Sequence, residues 1–319
     1  MPGHRGGAMK LYLADTSTSL DIALAQQGMH EMKIYLADGS VINHHAPHDG
    51  LSHILVTSRI LLSYHYFKKT DLDTLFAKYF ARPYPQVFLD SGAFSAFTRG
   101  ETIDLGAYCD YIKRYKHLLT VYSNLDVIGS AEGTLKNHQR MEREGLSPLP
   151  VFHTKEDWKY LDLYLSRYPY IALGGMVPYL VPGKRQMLMK WLLRCFKMAQ
   201  GKAVYHGFGC TVWEIMKALP WYSVDSSSWG TGFRFGKITL FDERSGKFVS
   251  MSLGDHKGCY TYAPLFRRHG FAPNEFSDRK ENTRAKNCAI AAIAYRLAEQ
   301  WLERRHGAIT IPERNEVSL

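Results

Sequence analysis

The sequence predicts an α/β fold: a (β/α)8 TIM barrel followed by an appendage made of a β-hairpin and a helix. Two observations predict the barrel. Short apolar segments alternate with amphipathic helical segments, an order typical of parallel strands. Eight such units fit into roughly 220 residues, the size of this barrel. An open doubly wound sheet is the competing architecture. We favour the barrel because polar or glycine-rich clusters follow nearly every strand, not one switch point alone.

The strand pattern begins at residues 10–14. A near-copy at 33–38 is either a strand of a separate hairpin or the true first barrel strand, and the sequence leaves both open. Apolar runs bounded by turn residues predict the remaining strands. They are residues 60–67, 87–90, 119–126, 149–153, 170–175, 203–209 and 221–225.

Helical spacing of apolar residues fills the gaps between these strands. The clearest case is 103–117, where Leu105, Tyr108, Tyr111, Ile112 and Tyr115 recur at intervals of three and four. Proline after 71–79 and Gly145 after 134–144 mark where helices end. The other predicted helices begin near residue 17 or 19 and run to 27, and cover 155–167, 186–199 and 212–219.

The pattern changes after residue 230. Residues 237–253 predict an antiparallel hairpin, and 282–305 predict a long Ala-rich helix. We therefore divide the chain into a flexible extension (1–9), a catalytic barrel (10–230), and a hairpin with a basic C-terminal helix packed on the barrel (231–319).

Composition allows a full core, and the basic excess fits either a polyanionic partner such as nucleic acid or a merely basic soluble protein. Apolar residues make up 45% of the 319 residues, and the formal net charge is +10. Residues 257–305 hold ten Lys/Arg and five Asp/Glu, so half of the excess charge lies in the appendage. A phosphate-contacting face and a solvated basic side of a capping helix explain this equally well. The candidate contacts are Arg267, Arg268, Arg279, Lys280, Arg284 and Lys286.

Cysteine usage and hydropathy favour a cytoplasmic protein with no membrane contact. The five cysteines are widely spaced and form no CxxC pair, as expected of reduced thiols. No apolar run approaches the roughly 18 residues of a membrane span. We predict no metal and no cofactor, because neither the His-rich loop at 44–50 nor Cys259, His269 and Cys288 show a recognised ligand spacing.

Two acids at strand ends are the candidate catalytic residues. Asp90 ends the run Val87–Phe88–Leu89 before a Ser-Gly-Ala turn, and Asp225 ends a second strand before three serines. Strand ends at the carboxyl side of a barrel form its active site. A pair of carboxylates there indicates a general acid/base and a nucleophile.

Other strand ends carry groups able to bind the polar edge of a flat heterocycle. Glycines additionally allow a planar ligand to approach the backbone closely. The predicted base-binding residues are Ser91, Asn124, Asp126, His153, Gly174, Gly175 and His206.

These motifs resemble, in order, the tRNA-guanine transglycosylase superfamily. Residues 88–94, Phe-Leu-Asp-Ser-Gly-Ala-Phe, are similar to that family's Asp-Ser-Gly-Gly-Phe motif. Residues 62–66 and 223–229 resemble its DNA-modifying branch, the 7-deazaguanine transglycosylases of phages and bacteria. The resemblance covers roughly residues 10–229 and rests on several short motifs.

The resemblance implies a pentosyltransferase that exchanges guanine in DNA for a free 7-deazaguanine base such as preQ0. Asp225 would be the nucleophile that forms a covalent glycosyl-enzyme intermediate, and Asp90 the general acid/base. Asn124 and Asp126 would contact the base, and His153 stands where the tRNA enzymes carry a base-reading Gln. The resemblance also implies a phage or prophage origin, action in the host cytoplasm, and a role in evading restriction.

Besides His153 in place of Gln, one further departure from the family and three alternatives remain. The zinc-binding Cys-x-Cys-x-x-Cys pattern of the tRNA enzymes does not occur after Asp225, which favours DNA over tRNA. The alternatives are base exchange on tRNA (queuine or archaeosine type), a two-carboxylate glycosidase barrel, and a non-catalytic nucleic-acid binder on a barrel scaffold.

Overall fold

The computed structural model describes residues 9–14, 33–35, 41–43, 59–80, 82, 84–210, 212–226, 232, 235–278 and 284–313. Its largest element is one eight-stranded sheet in which every neighbouring pair is parallel. The strands are β1 (Lys10–Ala14), β4 (Arg59–Ser63), β5 (Gln86–Asp90), β6 (Leu119–Tyr122), β7 (Val151–His153), β8 (Tyr170–Gly174), β9 (Val204–Gly207) and β10 (Ser223–Ser226). They lie in the order β6-β5-β4-β1-β10-β9-β8-β7.

Strands β6 and β7 stand at the two ends of this order, and the residues that flank them contact each other. Ser123 and Leu149 form an isolated parallel bridge. The backbone N–H of Leu149 donates to the carbonyl of Tyr122 at 2.8 Å, and that of Asn124 donates to the carbonyl of Leu149 at 3.1 Å. The parallel α/β part of the predicted fold is therefore confirmed.

Helices connect the strands, and several begin at an acidic or hydroxyl cap. The side chain of Asp104 accepts from the N–H of Ala107 at 2.7 Å, and Ser130 accepts from Gly133 at 3.0 Å. Such caps satisfy backbone donors that the first turn leaves free. The helices are α1 (Tyr64–Phe67), α2 (Leu72–Tyr79), α3 (Ala93–Thr98), α4 (Leu105–Tyr115), α5 (Ala131–Arg143), α6 (Trp158–Arg167), α7 (Arg185–Ala199) and α8 (Trp213–Ala218).

Alternate strand residues divide between two apolar clusters. Successive side chains of a strand point to opposite faces of a sheet. A large cluster joins the strands to the helices and includes Leu89 and Leu173. A smaller inner cluster contains Tyr12, Leu61, Phe88, Leu149, Val151 and Ala172. Residues two positions beyond this inner cluster share its face, which places Asp90, His153 and Gly174 above it.

The appendage follows the predicted outline. Strands β11 (Lys237–Asp242) and β12 (Lys247–Ser252) form an antiparallel hairpin. The long helix α12 (Arg284–His306) contacts β11 and also β1 of the main sheet. Three short helices between them were not predicted: α9 (His256–Thr261), α10 (Ala263–Arg268) and α11 (Asn274–Ser277).

Several predicted boundaries are wrong. The strand predicted at 60–67 ends at Ser63, and Tyr64–Phe67 form the helical turn α1. Strand β6 ends at Tyr122, so Asn124 and Asp126 lie in the following loop. The segment at 33–38 contributes β2 (Lys33–Tyr35), which pairs antiparallel with β3 (Val41–Asn43); it is therefore a hairpin strand, and β1 is the strand in the main sheet.

Met9, assigned to the flexible extension, is fully buried. The predicted helix near 17–27 and the His-rich loop at 44–50 lie outside the described residues. In the described part of the chain, no helix has both the length and the apolar character needed to cross a membrane.

Candidate active site

Asp90 lies at the carboxyl end of β5, on the face of the inner cluster. Its Oδ2 accepts from the N–H of Gly92 at 3.0 Å, and its Oδ1 accepts from the Ser123 hydroxyl at 3.4 Å. Burial raises the pKa of Asp90, and the nearby carboxylates of Asp126 and Asp225 raise it further, to about 7. A carboxyl group with this pKa can both donate and accept a proton at neutral pH.

The turn after Asp90 requires glycine at position 92. Gly92 has φ of +74°, and a Cβ there would lie 2.4 Å from the hydroxyl of Ser63. The buried Ser91 donates its N–H to the Ser123 hydroxyl at 3.1 Å. Ser123 thus holds both the carboxylate and the following backbone in place.

Asp225 lies at the carboxyl end of β10 and is 7% exposed. Its Oδ1 accepts from the N–H of Gly209 at 2.7 Å. Gly209 also has a positive φ of 61°, a conformation that glycine adopts without a steric penalty. The loop after β9 therefore orients this carboxylate through its backbone.

A chain of polar groups leads from Asp225 into the interior. Nε2 of the buried His206 lies 3.5 Å from Asp225 Oδ1, and its Nδ1 is 2.8 Å from the hydroxyl of Ser223. That hydroxyl is in turn 2.6 Å from the Tyr170 hydroxyl. Burial lowers the pKa of His206, although Asp225 opposes this, so the imidazole is neutral at neutral pH.

Asn124 and Asp126 present unpaired polar atoms. Asn124 is fully buried, yet neither its Oδ1 nor its Nδ2 has a hydrogen-bond partner among the described residues. The same is true of Oδ1 of Asp126. Leaving a buried polar group unpaired costs roughly 1–3 kcal/mol, which a bound ligand with matching polar atoms would recover.

His153 is held between two carboxylates. Its Nε2 lies 3.0 Å from Asp126 Oδ2, and its Nδ1 lies 3.1 Å from Glu156 Oε1. Burial alone would lower the pKa of His153, but the two carboxylates outweigh it and raise the pKa to about 10. His153 is therefore an imidazolium whose two N–H groups are both engaged, and it orients Asp126.

Gly174 and Gly175 stand beside this histidine. A Cβ on Gly174 would lie 2.7 Å from Cδ2 of His153, and one on Gly175 would lie 2.7 Å from the Thr154 hydroxyl. Gly175 also has φ of +70°. A side chain at either position would displace the group that holds Asp126.

The structure thus brings together every predicted catalytic and base-binding residue at the carboxyl ends of the strands. The charges of Asp126 and Asp225 both raise the pKa of Asp90, so the three carboxylates interact electrostatically. This arrangement can transfer protons through Asp90, supply a carboxylate nucleophile, and offer the unpaired polar atoms of Asn124 and Asp126 to a ligand.

The predicted nucleic-acid contacts in the appendage differ from one another in exposure and in ion pairing. Lys286 is largely buried and pairs with Glu275 at 3.1 Å. Arg268 lies 3.7 Å from Asp242, while Arg267 is exposed. The backbone of Arg284 begins α12, and Arg279 and Lys280 lie outside the described residues.

Sequence reasoning missed the residues that hold the site together, Ser123, Glu156, Gly209, Ser223 and Tyr170. One signal was available: Ser223 stands two residues before Asp225 and therefore shares its strand face. Glu156 and Gly209 act from loops, where the sequence does not fix the direction of a side chain or an N–H.

Among the described residues, no group of three His, Cys, Asp or Glu side chains is arranged to bind a metal. Both ring nitrogens of His269 are already used: Nε2 accepts from the N–H of Phe241 at 3.0 Å, and Nδ1 lies 2.9 Å from the Leu265 carbonyl.

Comparison with known proteins adds little. No family model and no curated protein matches the chain. Two solved structures of the carboxyl transferase domain of Rhizobium etli pyruvate carboxylase are similar to it at 13% identity. The one with pyruvate has a TM-score of 0.39 over 96% of this chain and 49% of that chain. The one with 3-bromopyruvate has a TM-score of 0.41 over 92% and 48%. The chain spans about half the length of both, and similarity of this degree carries no information on activity.

Proposed function

We propose that the eight parallel strands form a (β/α)8 barrel whose carboxyl-terminal end is the active site of a base-exchanging guanine transglycosylase. The contact between β6 and β7 through Ser123 and Leu149 supports closure of the sheet. The separate inner cluster supports it too, because side chains on the inner face of a closed barrel pack against one another.

The observation that carries the proposed activity is a pair of carboxylates in unlike environments. Asp90 has a pKa of about 7, whereas Asp225 accepts a short hydrogen bond from the Gly209 backbone. A carboxyl group with a pKa near neutrality suits proton transfer, and a carboxylate that a backbone N–H holds in place suits nucleophilic attack.

In the proposed reaction, an Asp225 oxygen attacks C1′ of the target guanosine nucleotide. The bond from C1′ to guanine breaks, Asp90 protonates the departing base, and the sugar stays bound to Asp225 as an ester. Asp90, now ionised, removes a proton from the incoming 7-deazaguanine. That base then attacks C1′ and releases Asp225.

The polar atoms of the pocket suit both bases in turn. Guanine and a 7-deazaguanine share a polar edge with donors and an acceptor. Asp126 Oδ1 offers an acceptor, and the amide of Asn124 offers one donor group and one acceptor. A target inside a duplex would have to be flipped out of its stack to reach these atoms.

DNA is the proposed substrate, with preQ0 as the incoming base, and tRNA is the alternative. The test incubates the protein and preQ0 with duplex DNA, single-stranded DNA and tRNA, and then analyses the nucleosides by mass spectrometry. We expect a deazaguanine deoxynucleoside with the wild type and with Asp162→Ala, a matched change at an exposed carboxylate. We expect none with Asp225→Ala.

Three results would overturn the proposal. A deazaguanine nucleoside in tRNA alone would move the activity to tRNA. No modified nucleoside in any of the three substrates, or an Asp225→Ala variant that remains active, would remove base exchange through Asp225.

A further inference from the structure

The stretch that contains α7 carries basic residues and no acidic ones. Between Asp162 and Glu214 there is no acidic residue, although the whole chain has 30. The same interval contains seven basic residues: Arg167, Lys184, Arg185, Lys190, Arg194, Lys197 and Lys202. No carboxylate near in sequence is therefore available to neutralise them.

Helical geometry gathers three of these cations on one line. Lys190, Arg194 and Lys197 are spaced by four and three residues, so they share one face of α7. At 1.5 Å per residue they span roughly 10 Å along the axis. The opposite face carries the buried residues Leu188, Leu192, Cys195 and Ala199. The basic line therefore faces outward.

Lys202 extends this line beyond the end of the helix. We call Lys190, Arg194, Lys197 and Lys202 the α7 cation strip. All four are exposed, and none is within ion-pair distance of a carboxylate among the described residues. In the appendage, by contrast, Lys286, Arg268 and Arg304 lie within 4 Å of Glu275, Asp242 and Glu243.

Two features make the strip more than a set of mobile surface charges. The Arg194 guanidinium lies over the ring of Trp158, 3.9 Å from its centroid, which fixes its position. Arg194, Lys197 and Lys202 also line one open depression of about 750 Å³, together with Met198 and Gln200. Three cations converge there with no acid in the lining.

We infer that the α7 cation strip binds the phosphate backbone of the nucleic acid that carries the target base. The helix begins after β8, at the same end of the sheet as Asp90 and Asp225, and ends before β9, at the opposite end, so the strip leads away from the site from Lys190 to Lys202. A nucleic-acid strand that leaves the site along this helix would reach Lys190 first and Lys202 last. The inference rests on the proposed function for the identity of the polyanion. It assigns the principal phosphate contact to α7 and not to the appendage.

A membrane surface fits the strip less well. An interfacial helix inserts an exposed apolar face below its cations. The apolar face of α7 is already buried, and its exposed face offers two separate apolar side chains, Met187 and Leu193. Phosphates in solution need no such insertion.

The experiment measures binding without any reaction. A triple variant carries Lys190→Gln, Lys197→Gln and Lys202→Gln, and leaves the stacked Arg194 in place. The matched control carries Lys116→Gln, Lys247→Gln and Lys257→Gln, which removes the same charge from exposed positions elsewhere, including the appendage. Fluorescence anisotropy gives the affinity for a labelled 30-base-pair duplex and a labelled single strand across a salt series.

Each lost phosphate contact should lower the slope of log K against log salt concentration by about 0.9 on a duplex and about 0.7 on a single strand. We expect the triple variant to lose about 2 to 3 units of slope on the duplex, and the control to lose less than one. Equal losses in the two variants would overturn the inference. So would a triple variant that binds DNA normally but has lost binding to phosphatidylserine vesicles.

The binding measurement tests the α7 cation strip independently of the proposed base exchange. If the slope falls in the triple variant and no base exchange is found with any substrate, the strip stands and the proposed reaction fails. If base exchange is found and the slope is unchanged, the reaction stands and the strip fails.

Discussion

The amino-terminal ends of the parallel strands bury charged groups in pairs, whereas the carboxyl-terminal ends combine the paired His153 with polar atoms that lack partners. At the amino-terminal ends, Glu299 of α12 accepts from both Arg59 and Arg296. Lys10 donates to the Tyr222 hydroxyl at 2.6 Å. At the carboxyl-terminal ends, the amide of Asn124 and one oxygen of Asp126 have no partner among the described residues.

The two ends also differ in what burial does to the pKa of their groups. Burial, followed by the charge of Arg59, lowers the pKa of Lys10 to about 8, but its hydrogen bond to Tyr222 remains. Burial and two neighbouring carboxylates raise the pKa of Asp90 to about 7. The first end is built for stability, and the second retains unfavourable interactions that a bound ligand with matching polar atoms would relieve.

The largest expected effect is at the amino-terminal end. Glu299→Ala should lower the free energy of unfolding by about 3–5 kcal/mol, because it leaves two largely buried guanidinium groups without their shared carboxylate. Chemical denaturation measures this. Asp162→Ala, at an exposed position of α6, should change the free energy by less than about 0.5 kcal/mol. Equal effects of the two changes would refute the structural role assigned to the buried pair.

The next effect concerns the charge on His153. Its pKa is raised in the folded state, so its stabilisation is complete below about pH 6.5 and is lost as the pH rises through about 10. His153→Gln should therefore remove on the order of 2 kcal/mol at pH 6.5 and little at pH 10. Denaturation of both proteins across this range gives the difference. A constant difference from pH 6.5 to 10 would show that packing, not charge, dominates.

The contrast between the two ends of the strands could be predicted from the sequence where a local pattern marks the residues, and not where distant residues form pairs. The strand-end acids Asp90 and Asp225 were identified because an apolar run before an acid is visible in the sequence itself. The pairing of Arg59 with Glu299 was not, because it joins residues 240 positions apart and no local pattern links them. The parallel α/β fold was predicted because the alternation of apolar strands and amphipathic helices is likewise visible in the sequence itself.

The fold predictions that failed did so where local pattern and tertiary context disagree. Residues 64–67 have the aromatic and apolar composition of a strand, yet they turn into α1 because the chain must leave the sheet after Ser63. The contact between His153 and Glu156 could not be predicted from the sequence either. The sequence gives a spacing of three residues, but not the loop that turns Glu156 back toward the ring.

A smaller effect, of opposite sign, is expected at Asp90. Its pKa is raised on folding, so the ionised group destabilises the protein increasingly as the pH rises from about 4 to about 7. Asp90→Asn should raise the free energy of unfolding at pH 8 by about 0.5–2 kcal/mol and should abolish the proposed base exchange. The exposed Asp110→Asn serves as the control. A destabilised Asp90→Asn variant at pH 8 would contradict the view that this end of the sheet is under electrostatic strain.

The smallest effect should come from Ser123. Its hydroxyl lies 3.4 Å from Asp90 Oδ1 and lowers the pKa of that carboxyl against the larger effects of burial and neighbouring charge. Ser123→Ala should therefore raise the pKa of Asp90 further, by less than about one unit. Carbon-detected NMR titration of the Asp90 carboxyl measures this directly and needs no activity. Ser147→Ala, on an exposed loop, should leave the titration unchanged. A fall in the pKa of Asp90 would mean that Ser123 stabilises the protonated form, so that the hydroxyl makes Asp90 a weaker proton donor and a stronger base.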